Sequence, residues 1–222
     1  MMDGNRRWAL KNKIESFLGH KNGVKSAEIA VNFCLDNNIK ILSLYTLSIE
    51  NLKRSEEEKK YLFNLLIEEN QKNLEYYISK GVKVRFVGDR SLFPINLVDV
   101  INQIEFKTHH LDKLQLNLLF CYGSRQEILS AAKLMAQDFK DGKISLDNIT
   151  IDNFTDFFWP GNLPDPELVI RTGGEFRVSN FMLYQLAYSE LYFIEKLWPE
   201  LTYEDFKEAL KWFSLRKRRF GA

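Results

Sequence analysis

Cysteine is scarce: the chain has 222 residues but only Cys34 and Cys121, each inside an apolar run. That excludes a disulfide framework or a cysteine metal site, and both read as small buried hydrophobes of a reducing cytoplasm. An excess of either charge is also missing. Thirty-one basic residues face thirty acidic ones, for a net charge of +1. Bulk attraction to nucleic acid is therefore not indicated, and any anion site must be local. Long hydrophobic runs are absent, since clusters such as "LNLLFCY" fall well short of the ~20 residues that span a bilayer. No apolar leader marks a signal peptide, and neither a P-loop nor a GxGxxG follows a strand. There is no repeat and no Pro/Gly-rich linker. The expectation is a cytoplasmic protein that would meet a lipid only from the water side, with access to the inner membrane face.

What the chain does contain is 45% apolar and 27% charged residues, enough to bury a core within one domain over residues 1–222. Apolar, partly β-branched runs predict strands at 39–47, 82–89, 114–122, 168–172 and 190–194. Helical spacing predicts helices over 21–36, 55–80, 96–111, 125–140, 180–188 and 203–215. Ser55 with Glu58 suggests a capping box, and Gly81 a helix end. Alternating strands and helices imply an α/β fold with a mostly parallel sheet covered on both faces.

Ligands of such sheets collect where strands give way to loops. The loops "SIENLKR" (48–54), "GSRQE" (123–127) and "RTGGEFRVSN" (171–180) are rich in Arg, Ser, Asn, Gly and Glu. Such groups can surround a phosphate ester and a hard cation. In the last loop Gly173–Gly174 lets the backbone turn sharply, and Arg171, Arg177 and Ser179 could offer guanidinium forks and a hydroxyl to one anion. The residues equally allow a turn in which two surface arginines pair with Glu175 or Glu167. The opening "MMDGNRRW" is unusual for a chain end, which is ordinarily frayed and bland.

"DGNRRWA", "GHKNGV", "SIENLKR", "YGSRQEI", "RTGGEFRVSNF", "YSELYF", "LWPEL" and "RKRRFG" together resemble, in order, the motif series of the cis-prenyltransferases, the bacterial undecaprenyl diphosphate synthases in particular. The resemblance runs from residue 3 to residue 221, and no DDxxD motif of the trans-type synthases occurs. It implies a homodimer using magnesium and isoprenoid diphosphates, with a central sheet of about six strands and an apolar tunnel. Asp3 would bind magnesium and assist departure of the allylic diphosphate. Gly4, Asn5, Arg6, Arg7 and Trp8 would surround that diphosphate, with His20 close by. Ser48, Ile49, Glu50, Asn51 and Arg54 would flank both substrates. Amides are poor bases, so Asn51 reads as positioning the proton acceptor. Arg171, Arg177, Val178 and Ser179 would form the isopentenyl diphosphate pocket, and Glu190 would be a second metal carboxylate. Arg219–Gly221 resembles a signature that reaches across the dimer. Leu62, Phe63, Leu65, Leu66, Leu74, Leu114, Leu116, Leu118 and Phe120 are tunnel candidates, with Leu116 near the closed end; ordinary core packing explains each equally well.

The implied reaction breaks an allylic C–O bond, lets the double bond of isopentenyl diphosphate attack, and loses a proton to leave a cis alkene. Repeated, it gives a long polyprenyl diphosphate handed to the membrane as a lipid carrier for cell-wall glycan synthesis. The rival reading is a catalytically silent member that binds lipid diphosphate or a partner subunit.

Three residues depart from the family pattern: Arg6 replaces a small residue, Ser16 a basic one, and Leu52 a tryptophan. Arg6 adds a cation that could tighten diphosphate binding or crowd the cradle, and Leu52 keeps apolar contact but loses an aromatic face. Ser16 removes one expected phosphate contact, and losing a charge-assisted hydrogen bond costs about 1.5–3 kcal/mol, which should weaken and not abolish binding. The family also has an apolar strand before the DGN loop, where this chain has only Met1 and Met2. A misassigned start codon is the expected explanation. If Met1 is the true start, the sheet's neighbouring strands lose ladder bonds and Asp3 should be poorly held.

Overall fold

All five apolar runs expected as strands form them, within a residue or two. In the computed structural model, which describes residues 1–161 and 163–217, they are β1 (Ile41–Ser48), β2 (Val82–Val87), β3 (Leu114–Tyr122), β4 (Leu168–Arg171) and β5 (Glu190–Phe193). β3 lies between β1 and β2 and is parallel to both, with Leu116 level with Leu42 and Val84. It is buried along nearly its whole length, which is why it reads as a continuous apolar run and not an alternating one. β4 and β5 form a second parallel pair, with Arg171 level with Phe193.

Helices α1 (Asn5–Lys11), α2 (Gly19–Asp36), α3 (Glu56–Lys72), α4 (Leu74–Lys80), α5 (Ile95–Thr108), α6 (Ser124–Lys140), α7 (Ile151–Phe154) and α8 (Tyr203–Ser214) complete the α/β domain. Ser55 Oγ accepts from Glu58 N at 3.3 Å, and Gly81 ends α4 with φ +74°, a left-handed conformation that favours glycine. Val84, Leu116, Leu118 and Phe120 pack with apolar residues of α2, α3 and α5 into the main core. Val87, Leu119 and Tyr122 pack with Val169, Phe181 and Met182 into a second cluster. Cys34 and Cys121 are buried free thiols, and burial pushes both up to about 12.

Four expectations change. Among the described residues the strands number five, in two sheets rather than one sheet of six. Residues 1–3 run beside the end of β4 instead, with the Met1 amine donating to Ile170 O at 2.5 Å and Thr172 N donating to Met1 O at 3.3 Å. The segment 180–188 is turns and not a helix, because Ser179, Asn180 and Met182 have φ of +45°, +62° and +42°, which no right-handed helix accommodates. The single helix expected over 55–80 is broken at Asn73 into α3 and α4. Helix α1 was not expected at all.

Candidate functional site

β1 and β4 carry their loops at their C-terminal ends; the β4 loop contacts residues 1–3, and the β1 turn lines the same cavity as they do. Asp3 is held by partners from three segments of the chain. Its carboxylate accepts from Arg171 Nη2 at 2.9 Å and from Arg7 Nη2 at 3.2 Å. Its backbone N–H donates to Thr172 Oγ1 at 2.9 Å, and its C=O accepts from Trp198 N at 2.9 Å and the Thr172 hydroxyl at 2.7 Å. These contacts tie Asp3 to the end of β4 and to Trp198.

Arg171 is only 4% exposed. Its Nη1 donates to Ser179 Oγ at 3.0 Å and to the Arg177 carbonyl, while its buried Nε has no partner. Buried donors are almost always paired, so an Nε left over marks capacity for an anion. Arg7 Nη1 donates to Gly173 O at 2.7 Å. Gly173 has φ +85°, and a Cβ there would come within 2.4 Å of Arg7 Nη2, so glycine is what lets the guanidinium approach. Arg177 is exposed and pairs with Glu175.

The turn after β1 holds itself together. Asn51 N donates to Ser48 Oγ at 3.2 Å, and Ser48 N donates to Asn51 Oδ1 at 3.2 Å. With its oxygen occupied, the Asn51 side chain suits a positioning role. Arg54 pairs with the buried Glu58 at 3.0 Å, and Arg6 lies 4.0 Å from the same carboxylate. His20 opens α2 beside them; burial first, then Arg54 and Arg6, lower its pKa to about 4. Its buried Nε2 has no partner, nor does Asn5 Oδ1. Close packing of α1 on α2 depends on glycine: a Cβ at Gly19 would meet Asn5 O at 2.0 Å, and one at Gly23 would meet Asn5 Oδ1 at 2.4 Å.

A cavity of about 390 Å³ joins these groups. Its mouth is lined by Asp3, Asn5, His20, Ser48, Asn51, Arg54, Arg171, Arg177 and Ser179. It continues between α2 and α3 over Val24, Ala27, Val31, Leu44, Leu62, Leu65, Leu66, Leu116, Leu118 and Phe120. Of the other tunnel candidates, Phe63 packs on Phe120, and Leu74 and Leu114 belong to the main core. Gly4, Arg6, Arg7, Trp8, Ile49, Glu50 and Val178 are not among its lining residues. Gly4 caps α1 at φ +107°, Trp8 is half-buried, and Ile49 and Val178 are also half-buried beside lining residues.

Glu190 stands apart. It lies level with Leu168, at the opposite end of β4 and β5 from Arg171, and pairs with Arg216 at 3.2 Å. Within one chain it does not join Asp3, and among the described residues no group of three or more His, Cys, Asp or Glu could hold a metal. A lone Asp3 carboxylate beside anion-binding arginines still fits magnesium, which usually takes one or two carboxylates together with substrate phosphates and water. Arg219–Gly221 lies outside the described residues. Ser16 opens a short turn before α2 and Leu52 packs against the main core. Sequence reasoning missed Thr172, Trp198, Glu58 and Asn180. Thr172 and Asn180 both lie within "RTGGEFRVSN", the loop already singled out as a candidate anion site, but their roles come from long-range partners.

An apolar channel opening on a mouth of arginines suits an anionic head joined to a hydrocarbon tail, and places the chain among α/β proteins shaped for such amphiphiles. Residues 1–221 match the family model described as "Putative undecaprenyl diphosphate synthase". The chain is 41% identical over 221 residues to a tritrans,polycis-undecaprenyl-diphosphate synthase (geranylgeranyl-diphosphate specific) of Picrophilus torridus, covering 99% of this chain and 87% of that one. It is 39% identical to a ditrans,polycis-undecaprenyl-diphosphate synthase ((2E,6E)-farnesyl-diphosphate specific) of Xylella fastidiosa, covering 100% and 87%. The crystal structure of lavandulyl diphosphate synthase from Lavandula x intermedia, in complex with dimethylallyl diphosphate, superposes with a TM-score of 0.96 at 29% identity, covering 100% and 95%. The chain therefore belongs to the undecaprenyl diphosphate synthase family of cis-prenyltransferases.

Proposed function

We propose that this chain condenses an allylic diphosphate, farnesyl diphosphate in the first instance, with successive isopentenyl diphosphates to build a long cis-polyprenyl diphosphate. One observation carries the reading: a single cavity links the Asp3–Arg171 mouth to the leucine-lined channel. The mouth would hold the diphosphate and the channel the growing chain. The relatives differ in the allylic substrate their names give, so farnesyl diphosphate is the part most in need of test.

Asn5 and Arg7, with His20 close by, would receive the departing diphosphate, whose developing charge is stabilised by preorganised donors. Asp3 would hold magnesium, which supplies further charge stabilisation to the diphosphate oxygens when bound. Arg171, Arg177 and Ser179 would hold isopentenyl diphosphate, with the unpartnered Arg171 Nε as a spare donor, and the Ser48–Asn51 turn would orient it for proton loss. The channel walls exclude water from the allylic cation.

Retention of Asp3, Asn51, Arg171, Arg177 and Glu190 disfavours the catalytically silent alternative. A homodimer belongs to the same proposal. Phe176, 77% exposed, packs on Phe193 of β5, an apolar surface suited to a second copy. No helix among the described residues is long and apolar enough to cross a membrane, so the product would pass to a lipid surface as the carrier for cell-wall glycan synthesis. The test is turnover with labelled isopentenyl diphosphate and either farnesyl or geranylgeranyl diphosphate, with magnesium or with chelator. Magnesium-dependent incorporation favouring farnesyl diphosphate supports the proposal. Absence of incorporation from folded protein refutes it.

A further inference from the structure

Asn180 follows Arg177 and Ser179 along the chain, and its hydrogen bonds reach two other segments. Its backbone C=O accepts from Ser124 N at 2.9 Å, and its Oδ1 accepts from Arg125 N at 2.8 Å. Both amides belong to the first turn of α6, whose N-cap Gly123 offers no side-chain cap. The first amides of a helix have no partner within it, so Asn180 caps α6 from a distant part of the sequence. Its Nδ2 donates to Gln126 Oε1 at 3.0 Å and to Glu50 Oε1 at 2.8 Å. Glu50 sits in the turn after β1, next to Asn51.

Two backbone features serve this junction. Asn180 has φ +62°, in the left-handed region that Asn tolerates better than most residues. A Cβ at Gly123 would come within 2.5 Å of Gln126 Oε1 and 2.8 Å of Asn180 Nδ2. Glycine at 123 leaves the space that the Asn180 amide occupies.

We propose that Asn180 is a positioning residue: it locks the loop bearing Arg177 and Ser179 to the turn bearing Glu50 and Asn51, and so fixes the anion-binding groups relative to the proton-handling turn. It touches no reacting atom. Condensation needs the second substrate held by its diphosphate while the carbon that loses a proton faces the Ser48–Asn51 turn. Small misplacements of that kind are heavily penalised. The inference rests on the condensation reading.

Asn180→Gly tests it, since glycine keeps the left-handed backbone without strain and deletes all three side-chain hydrogen bonds. With circular dichroism and melting behaviour close to those of the unsubstituted protein, KM for isopentenyl diphosphate should rise roughly tenfold, as for one lost charge-assisted hydrogen bond, with a smaller fall in kcat. Asn180→Asp sets a carboxylate against Glu50 and should be worse. Combined with Glu50→Gln, donor and acceptor exchange places, and the double variant should bind better than Asn180→Gly.

Titration with inorganic pyrophosphate on the same variants gives a readout independent of turnover. Weakened binding in Asn180→Gly and its return in the double variant support the lock. An unchanged KM and pyrophosphate affinity in Asn180→Gly overturns it, as does a double variant no better than Asn180→Gly. If the unsubstituted protein fails to turn over, the condensation reading falls, while the pyrophosphate series still decides the coupling of the two loops.

Discussion

Arg171 Nη2 donates to Asp3 Oδ2 at 2.9 Å across 168 positions of sequence. The guanidinium is nearly buried and the carboxylate about one-third exposed. This pair joins the end of β4 to the start of the chain. It also leaves the Arg171 Nε without a partner, so one side chain both holds Asp3 and keeps a donor in reserve.

Asp3→Asn keeps an acceptor for Arg171 and removes the charge. We expect kcat to fall roughly 10²- to 10³-fold, the range seen when one electrostatic group of a preorganised site is lost, with the fold intact. Steady-state kinetics and a thermal melt of the variant check this. A variant within threefold of the unsubstituted protein would remove Asp3 from the chemistry.

Gly173→Ala should cost more than Gly142→Ala. Both glycines have positive φ, but a Cβ at Gly142 meets nothing within 4 Å, whereas one at Gly173 meets Arg7 Nη2 at 2.4 Å. Left-handed strain alone costs about 1–3 kcal/mol, and both variants should show it on denaturant unfolding. Only Gly173→Ala should also weaken pyrophosphate binding, because only there must Arg7 move.

His20 should report ligand binding through its titration. Burial, then Arg54 and Arg6, lower its pKa to about 4 from an unfolded value of 6.5. The unfolded chain therefore binds this proton more readily between those values, so this contribution to stability is full above pH 6.5 and lost as the pH falls toward 4. His20→Gln should show a shallower decline over that window. A diphosphate beside the arginines reverses the local charge, so the His20 imidazole signals should titrate at higher pH once pyrophosphate is bound, as NMR would show.

Leu116 is 1% exposed and lines the channel near the start of β3. Leu116→Trp should shorten the product, and overpacking should cost about 1–3 kcal/mol. Leu116→Ala should lengthen it and cost about 2–5 kcal/mol. Thin-layer sizing of labelled products checks both; identical product lengths would place the channel's limit elsewhere.

The five strands were legible because each is a short run rich in apolar and β-branched or aromatic residues, even β5, none of whose residues is fully buried. Asp3, Arg171 and Ser179 were legible through motif order, and the structure brings them into contact. Helix α1 was hidden because "NRRWALK" has little apolar periodicity; tertiary packing on α2 through Gly19 and Gly23 holds it. The helix expected at 180–188 failed because left-handed residues are invisible to hydrophobic spacing. Thr172 and Asn180 act through partners 169 and 130 positions away, distances over which no local pattern speaks.

The measurement that tests the central claim most directly is the structure of the lipid made from farnesyl diphosphate and labelled isopentenyl diphosphate with magnesium. The account predicts a chain of several added isoprene units whose new double bonds are all cis by NMR. A product with trans double bonds, or no elongated product from folded protein, would contradict it.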